Sequence, residues 1–269
     1  MFHVENTGQI RLTQPLGQWI SKYAADHRFS RYLEIGTWNG RGSTCCFYDG
    51  FSKRRNSYLL QSLETDRARF EEAGDLWKQI SSIQILHGRI LPDDKCPTFE
   101  EVQGVHSNIR TDWHAEDVRN FWSCPHVPMN DPQVILLDGA EYLTWFEFLF
   151  MLETTTASVY ILDDTMTSKC PKIVEWFSQH PEWKCIASGT DRNGWAIYEK
   201  EIVLGEPGRQ GYMGILHHLE DAYAEAGRNP TGLSASPDYA LFSKAYVQSL
   251  RSLNLPKIHD YVFIGSISS

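Results

Sequence analysis

The sequence lacks an excess of positive charge: 34 acidic residues outnumber 25 lysines and arginines, for a formal net charge of -9. That balance argues against holding nucleic acid through a broad basic face, and leaves neutral or cationic small molecules and glycans as easier partners. No apolar stretch approaches the length of a membrane span. The start, Met-Phe-His-Val-Glu-Asn, has no basic segment followed by an apolar one. The six cysteines (Cys45, Cys46, Cys96, Cys124, Cys170 and Cys185) have none of the paired spacing used by zinc ribbons or small secreted scaffolds. A reducing, cytoplasmic setting is therefore expected, with neither membrane nor nucleic acid as a partner. What the chain does have is 269 residues, 42% of them hydrophobic, enough for a sizeable core in one large domain or one domain with an appendage.

The organising stretch is residues 31–44, Arg-Tyr-Leu-Glu-Ile-Gly-Thr-Trp-Asn-Gly-Arg-Gly-Ser-Thr. It reads as the end of a first parallel strand, a ligand-cradling loop and the start of a helix. Gly36 and Gly40 let the backbone turn sharply and approach a ligand, and Ser43 and Thr44 are suited to cap the helix. Ahead of it, residues 8–27 place Ile10, Leu16, Trp19, Ile20 and Tyr23 at spacings that suit an amphipathic cover helix. After it come a strand over 58–63 ending in Glu64, a helix over 66–80, and a strand over 83–86 ending at His87, Gly88 and Arg89.

The alternation then breaks. Residues 91–133 are polar and rich in His, Asp and Trp, as a lid or substrate-binding insertion would be, with a helix expected around 115–122. Two continuous apolar runs follow, 134–137 ending in Asp138 and 159–162 ending in Asp163 and Asp164, which marks strands buried on both faces. Helices are expected over 141–152 and over 171–180, the latter with Pro171 in its first turn. Residues 183–188 and 195–198, joined by Asp191-Arg-Asn-Gly194, read as a hairpin at the sheet edge. The sum is an α/β chain with a Rossmann-like, doubly wound, seven-stranded sheet whose last strand is antiparallel, spanning residues 1–203. Beyond it, Gly205, Pro207, Gly208 and Gly211 read as a linker. Helical patterns over 212–226 and 239–253 and an apolar run over 261–264 read as the start of a second domain, part of a longer multidomain protein.

In such a sheet ligands lie beyond the carboxyl ends of the strands, and Glu34, Glu64, Asp138, Asp163 and Asp164 all fall there. The stretch Glu34-Ile-Gly36-Thr37-Trp-Asn-Gly40, with Glu64 thirty residues beyond Glu34, resembles the first two motifs of class I S-adenosylmethionine (SAM) dependent methyltransferases. A nicotinamide loop would want Gly-x-Gly-x-x-Gly, whereas this chain spaces Gly36, Gly40 and Gly42. The resemblance implies that Glu34, Gly36, Thr37, Gly40 and Ser43 line the cofactor, that Glu64 holds the ribose hydroxyls, and that Gly88 and Arg89 stand where many members carry an acid near adenine. The amides near Gly36 and the start of the next helix would meet the SAM carboxylate.

The segments Leu136-Leu-Asp138-Gly-Ala-Glu141-Tyr142 and Ile161-Leu-Asp163-Asp164-Thr165 are similar to the metal-dependent sugar O-methyltransferases of the macrocin type. By position, Asp138, Asp163 and Asp164 would bind Mg²⁺ (or Mn²⁺), for which three hard oxygen donors are suited. The other reading is that Asp163 caps the next helix and Asp164 pairs with a neighbouring lysine. Glu141 stands where related enzymes carry a histidine base and, with Asp138, is the catalytic candidate; the alternative for Glu141 is an exposed acid in the first turn of a helix. His106, His114 and His126 are reserves. The activity implied is methyl transfer from SAM to a hydroxyl of a sugar or glycan, with Trp113, Trp122 and His126 shaping the acceptor pocket. A metal-independent methyltransferase acting on another small molecule or a protein is the alternative, and a glycosyltransferase-type or non-catalytic module a more distant one.

Overall fold

The computed structural model describes residues 9–106 and 108–201. The expected linker, helical patterns and terminal strand beyond residue 203 lie outside these described residues. Seven strands form one sheet: β1 (Arg31–Ile35), β2 (Leu59–Glu64), β3 (Ile83–His87), β4 (Val134–Leu137), β5 (Val159–Asp163), β6 (Trp183–Gly189) and β7 (Trp195–Lys200). Their order is β3-β2-β1-β4-β5-β7-β6. Pairing is parallel from β3 to β5, and β7 runs antiparallel between β5 and β6. The hairpin therefore does not simply extend the edge; its second strand inserts beside β5 and leaves β6 outermost.

Helices cover both faces, and the period-two alternation of the strands sorts their side chains. Val134, Leu136, Val159 and Ile161 pack with Leu16, Ile20 and Ala24 of α1 (Pro15–Ala25) and Cys46, Phe47 and Phe51 of α2 (Ser43–Phe51). The intervening Ile135, Leu137, Tyr160 and Leu162 pack on the other face. Their partners are Phe148 and Met151 of α6 (Thr144–Thr154) and Ile173 and Phe177 of α7 (Pro171–Ser178). All four residues of β4 are fully buried, which is why its sequence is an unbroken apolar run. Among the described residues no helix is long and apolar enough to cross a membrane.

Local chemistry fixes the element ends. Asp66 accepts the Arg69 amide at 2.9 Å and opens α3 (Arg67–Trp77), while Thr98 and Glu101 form a reciprocal capping box on α4 (Phe99–Val105). The insertion thus holds a helix unforeseen in the sequence, besides the expected one, which is longer than anticipated: α5 (Thr111–Ser123). The start of α2 differs from expectation. Gly42 occupies its cap position and no side chain caps it, because the Thr44 hydroxyl is turned to Glu34 instead.

The chain reverses its winding between β1 and β4, and the loops leaving β1 and β4 stand side by side at that point. Gly36, at φ +94°, is where they touch: an added Cβ would run into the carbonyl of Asp138. The loop glycine thus sets the spacing between the two candidate regions.

Candidate functional site

The loop after β1 is bound to the end of β2 at several points. The amides of Gly36 and Thr37 both donate to the Leu63 carbonyl, at 3.0 and 3.1 Å. Glu64 Oε2 accepts the Trp38 amide at 2.7 Å and its Oε1 accepts the Asp66 amide at 2.8 Å. Burial raises the Glu64 pKa, while these two amides pull it down. Trp38 is itself 42% exposed at φ +53°, its ring stacked under the Arg69 guanidinium at 3.2 Å. Gly40, at φ +74°, lies against the indole of Trp77, whose Nε1 donates to the Gly40 carbonyl at 2.8 Å. These contacts form a rigid cradle with one exposed aromatic face.

Several predicted cofactor residues have other attachments. Glu34 is fully buried within β1 and accepts hydrogen bonds from the hydroxyls of Thr44, at 2.7 Å, and Ser62. Burial pushes its carboxyl up, and the Ser43, Ser62 and Thr44 hydroxyls oppose that shift. Thr37 bonds Ser62 at 2.5 Å. The Gly36 amide is taken by the Leu63 carbonyl, so it is not open to a ligand's carboxylate as the sequence suggests. Gly88 packs against Val127. Arg89 is buried and holds the carbonyls of Leu91, Phe121 and Cys124 and the carboxylate of Asp93, so it organises the insertion.

At the ends of β4 and β5, Asp138, Asp163 and Asp164 each offer an oxygen within 4.8 Å of the others. Sequence reading foresaw the acids and missed most of what faces them. Lys169, buried in the loop just before α7, places Nζ 2.9 Å from Asp138 Oδ1 and 2.7 Å from Asp164 Oδ2. Arg192 donates to Asp163 Oδ2 at 2.7 Å and Asn193 to Asp164 Oδ1 at 3.0 Å. The lysine pairing of Asp164 was the alternative reading from sequence. Asp163, however, makes an ion pair and does not cap α7, for which no side-chain cap bond forms. Arg192 and Asn193 looked like bare turn residues. Their left-handed backbones (φ +64° and +86°), with Asp163 opposite Trp195 in the β5–β7 register, bring them back over the acids.

Burial raises the pKa of Asp138 and of Asp163, against the pull of Lys169 and Arg192 respectively. Burial also opposes ionisation of Asp164, but Lys169, Asn193 and Arg192 outweigh it and hold that carboxyl low. Lys169 loses from burial and gains more from Asp138 and Asp164, so it stays charged. Asp163 Oδ1 is buried and has no hydrogen-bond partner among the described residues. A buried acceptor left open beside two more carboxylates fits a hard divalent cation, for which three such oxygen donors are suited.

Glu141 Oε1 accepts the Ser168 amide at 2.9 Å, which ties the β4 loop to the loop before α7. The insertion reaches this loop too: His106 Nε2 meets the Tyr142 carbonyl at 3.2 Å and the Arg110 amide donates to the Tyr142 hydroxyl at 2.8 Å. Burial lowers the His106 pKa, which favours the neutral ring. Trp122, 53% exposed, and His126 line a cavity with Arg89 and Pro92, beside the end of β3 and not beside the acids.

Glu147, on α6, is the second group that sequence reading passed over. It is 2% exposed, its Oε2 lacks a partner among the described residues, and that oxygen lies against Gly139, next to Asp138. Burial, with a contribution from Asp117, pushes its pKa up to about 8. The folded protein therefore retains this proton between the ordinary glutamate pKa and about pH 8, where the unfolded chain has released it, and stability from this group falls as pH rises through that window. Glu147→Gln should raise the melting temperature at pH 8 by a few degrees and flatten its pH dependence between pH 5 and 8. Melting curves across that range check this, and an unchanged pH slope would contradict it.

No family model and no curated protein matches the chain. Solved structures do resemble it. One is the O-methyltransferase of Bacillus cereus in complex with SAH, 13% identical over 72% of this chain and 84% of that one, with a TM-score of 0.48. Another is a Podospora anserina methyltransferase bound to SAH, 12% identical over 68% and 77%, with a TM-score of 0.46. A third is the O-methyltransferase TomG of Streptomyces achromogenes, involved in tomaymycin synthesis and in complex with SAM, 13% identical over 69% and 79%, with a TM-score of 0.45. The described residues have the class I methyltransferase fold, defined in this chain by its own strand order and the antiparallel β7.

Proposed function

We propose that the chain is a SAM-dependent methyltransferase that transfers a methyl group to a hydroxyl of a sugar or glycan, with a divalent cation assisting. One observation carries the reading: the glycine cradle with Glu64 and the triad of Asp138, Asp163 and Asp164 lie on the same sheet edge and touch where Gly36 meets Asp138. Donor and acceptor regions so coupled are what in-line transfer between two bound molecules requires.

In this reading Glu64 accepts the ribose hydroxyls, the opening of α2 faces the SAM carboxylate, and Trp38 supplies a flat apolar surface. Asp138, Asp163 and Asp164 would hold Mg²⁺ or Mn²⁺, which when bound acidifies a coordinated hydroxyl. Glu141 takes the proton from the acceptor. The buried frame of Glu34, Thr44 and Ser62 keeps the start of α2 in register with β1 and β2.

The test is transfer of the methyl group of labelled SAM to a panel of monosaccharides, with Mg²⁺ and with excess EDTA. Label on a sugar hydroxyl, lost in EDTA, supports the reading. A metal-independent methyltransferase is favoured by one observation, that Lys169 and Arg192 already answer all three acids, and full activity in EDTA would select it.

A further inference from the structure

The positive charge nearest the centre of the triad belongs to the chain itself. The Lys169 ammonium bridges Asp138 Oδ1 and Asp164 Oδ2 at 2.9 and 2.7 Å, and its side chain is 7% exposed. Arg192 is not part of this bridge: it pairs with Asp163 Oδ2, and Asn193 takes the other oxygen of Asp164. Asp163 Oδ1 is the buried oxygen that none of them serves.

A divalent cation using one oxygen from each acid would stand within a few ångströms of the ammonium, in a site where burial leaves little water to screen the repulsion. The two cations cannot share these oxygens at full strength. A lysine is suited to give way: its charge is a point on a flexible four-carbon stem, without the fixed fork that locks an arginine onto a carboxylate. Three convergent carboxylates without a cation would repel one another and resist ionisation. Lys169 removes that penalty in the metal-free chain.

We propose that Lys169 is a resident cation that competes with divalent metal for Asp138 and Asp164 and so sets the metal affinity of the site. This rests on reading the triad as the acceptor-side metal site, and it adds a metal-positioning role for a residue that the reading did not include. Asp163 Oδ1, with one oxygen each from Asp138 and Asp164, would hold the metal, and the ammonium would leave these oxygens still protonated; no covalent bond of the chain is made or broken. Neutralising Lys169 strengthens metal binding, whereas a residue that merely supported the fold would weaken it on removal.

The experiment is Mn²⁺ titration of the full chain, read by loss of the free-ion electron paramagnetic resonance signal. Lys169→Met should bind Mn²⁺ at least tenfold more tightly than wild type. Without metal it should melt lower, and added Mn²⁺ should raise its melting temperature more than that of wild type. Lys169→Met/Asp164→Asn should lose the gain. Lys169→Arg, which keeps the charge and can grip both acids, should bind Mn²⁺ more weakly than wild type, and it tests the competition even if the methionine variant does not fold. Equal or weaker binding in folded Lys169→Met, a gain that survives Asp164→Asn, or tighter binding in Lys169→Arg overturns the proposal. Calorimetry with SAM on the same samples separates the outcomes, since failure to bind SAM strikes the donor reading and leaves the metal comparison standing.

Discussion

Replacing Asp164 by asparagine is expected to lower methyl transfer to a diol acceptor by about a hundredfold or more while SAM still binds. Both oxygens of this side chain are engaged, one by Lys169 at 2.7 Å and one by Asn193 at 3.0 Å. An amide keeps the shape but removes one unit of negative charge, and it can turn an N–H donor toward the Lys169 ammonium, which has no acceptor for it. Asp164 is also the acid whose pKa is held low, so its charge is the most dependable of the three. Among the described residues no hydrogen bond links it to the β1 loop or to Glu64, so the donor side should be untouched. Transfer rates and SAM calorimetry on one preparation check this. A rate within a few-fold of wild type would leave the triad as an ion-pair network that only braces β5 against β7.

The second large effect is on folding. Gly36→Ala should cost about 3 kcal/mol or more, a fall of roughly 6–12 °C in melting temperature. Two penalties add. The position sits at φ +94°, and the new Cβ would press on the Asp138 carbonyl, a backbone atom. That backbone has little freedom to yield, because the Asp138 amide donates to Ile35 at 3.0 Å and Ile35 is in register with Leu137. Gly40→Ala is a useful contrast and should cost less: φ is again positive, but the nearest obstruction is a side-chain atom, the Trp77 indole nitrogen at 2.8 Å, where Gly36 meets a backbone oxygen at 2.0 Å. Thermal melts of both variants test the ranking, and a Gly36→Ala protein as stable as wild type would contradict the close approach of the two loops.

The fold was legible because burial leaves a plain mark on sequence. Val134–Leu137 and Val159–Asp163 are covered on both faces and read as unbroken apolar runs closed by acids. The acids themselves were legible for the same reason, since a carboxylate at the end of such a run stands out. What faces them was not. Lys169 lies five residues beyond Asp164 and directly before Cys170-Pro171, where a lysine looks like an ordinary helix approach. Arg192 and Asn193 reach the acids only because β7 inserts beside β5, a pairing that local spacing does not encode. Glu147 was hidden by an apolar helix that buries it with Phe148 and Met151. Arg89 was assigned to the cofactor by its place after β3, yet its guanidinium serves carbonyls 32 and 35 residues away, contacts that depend on how the insertion folds back.

The claim on which the rest depends is that the cradle formed by the β1 loop and Glu64 holds SAM, and the most direct measurement is calorimetric titration of SAM into the wild-type 269-residue chain and into Glu64→Gln. Saturable one-to-one binding by the wild type, weakened at least tenfold in a Glu64→Gln protein that remains folded, is the predicted result. The absence of binding by the wild type, or the same affinity in both proteins, would contradict it.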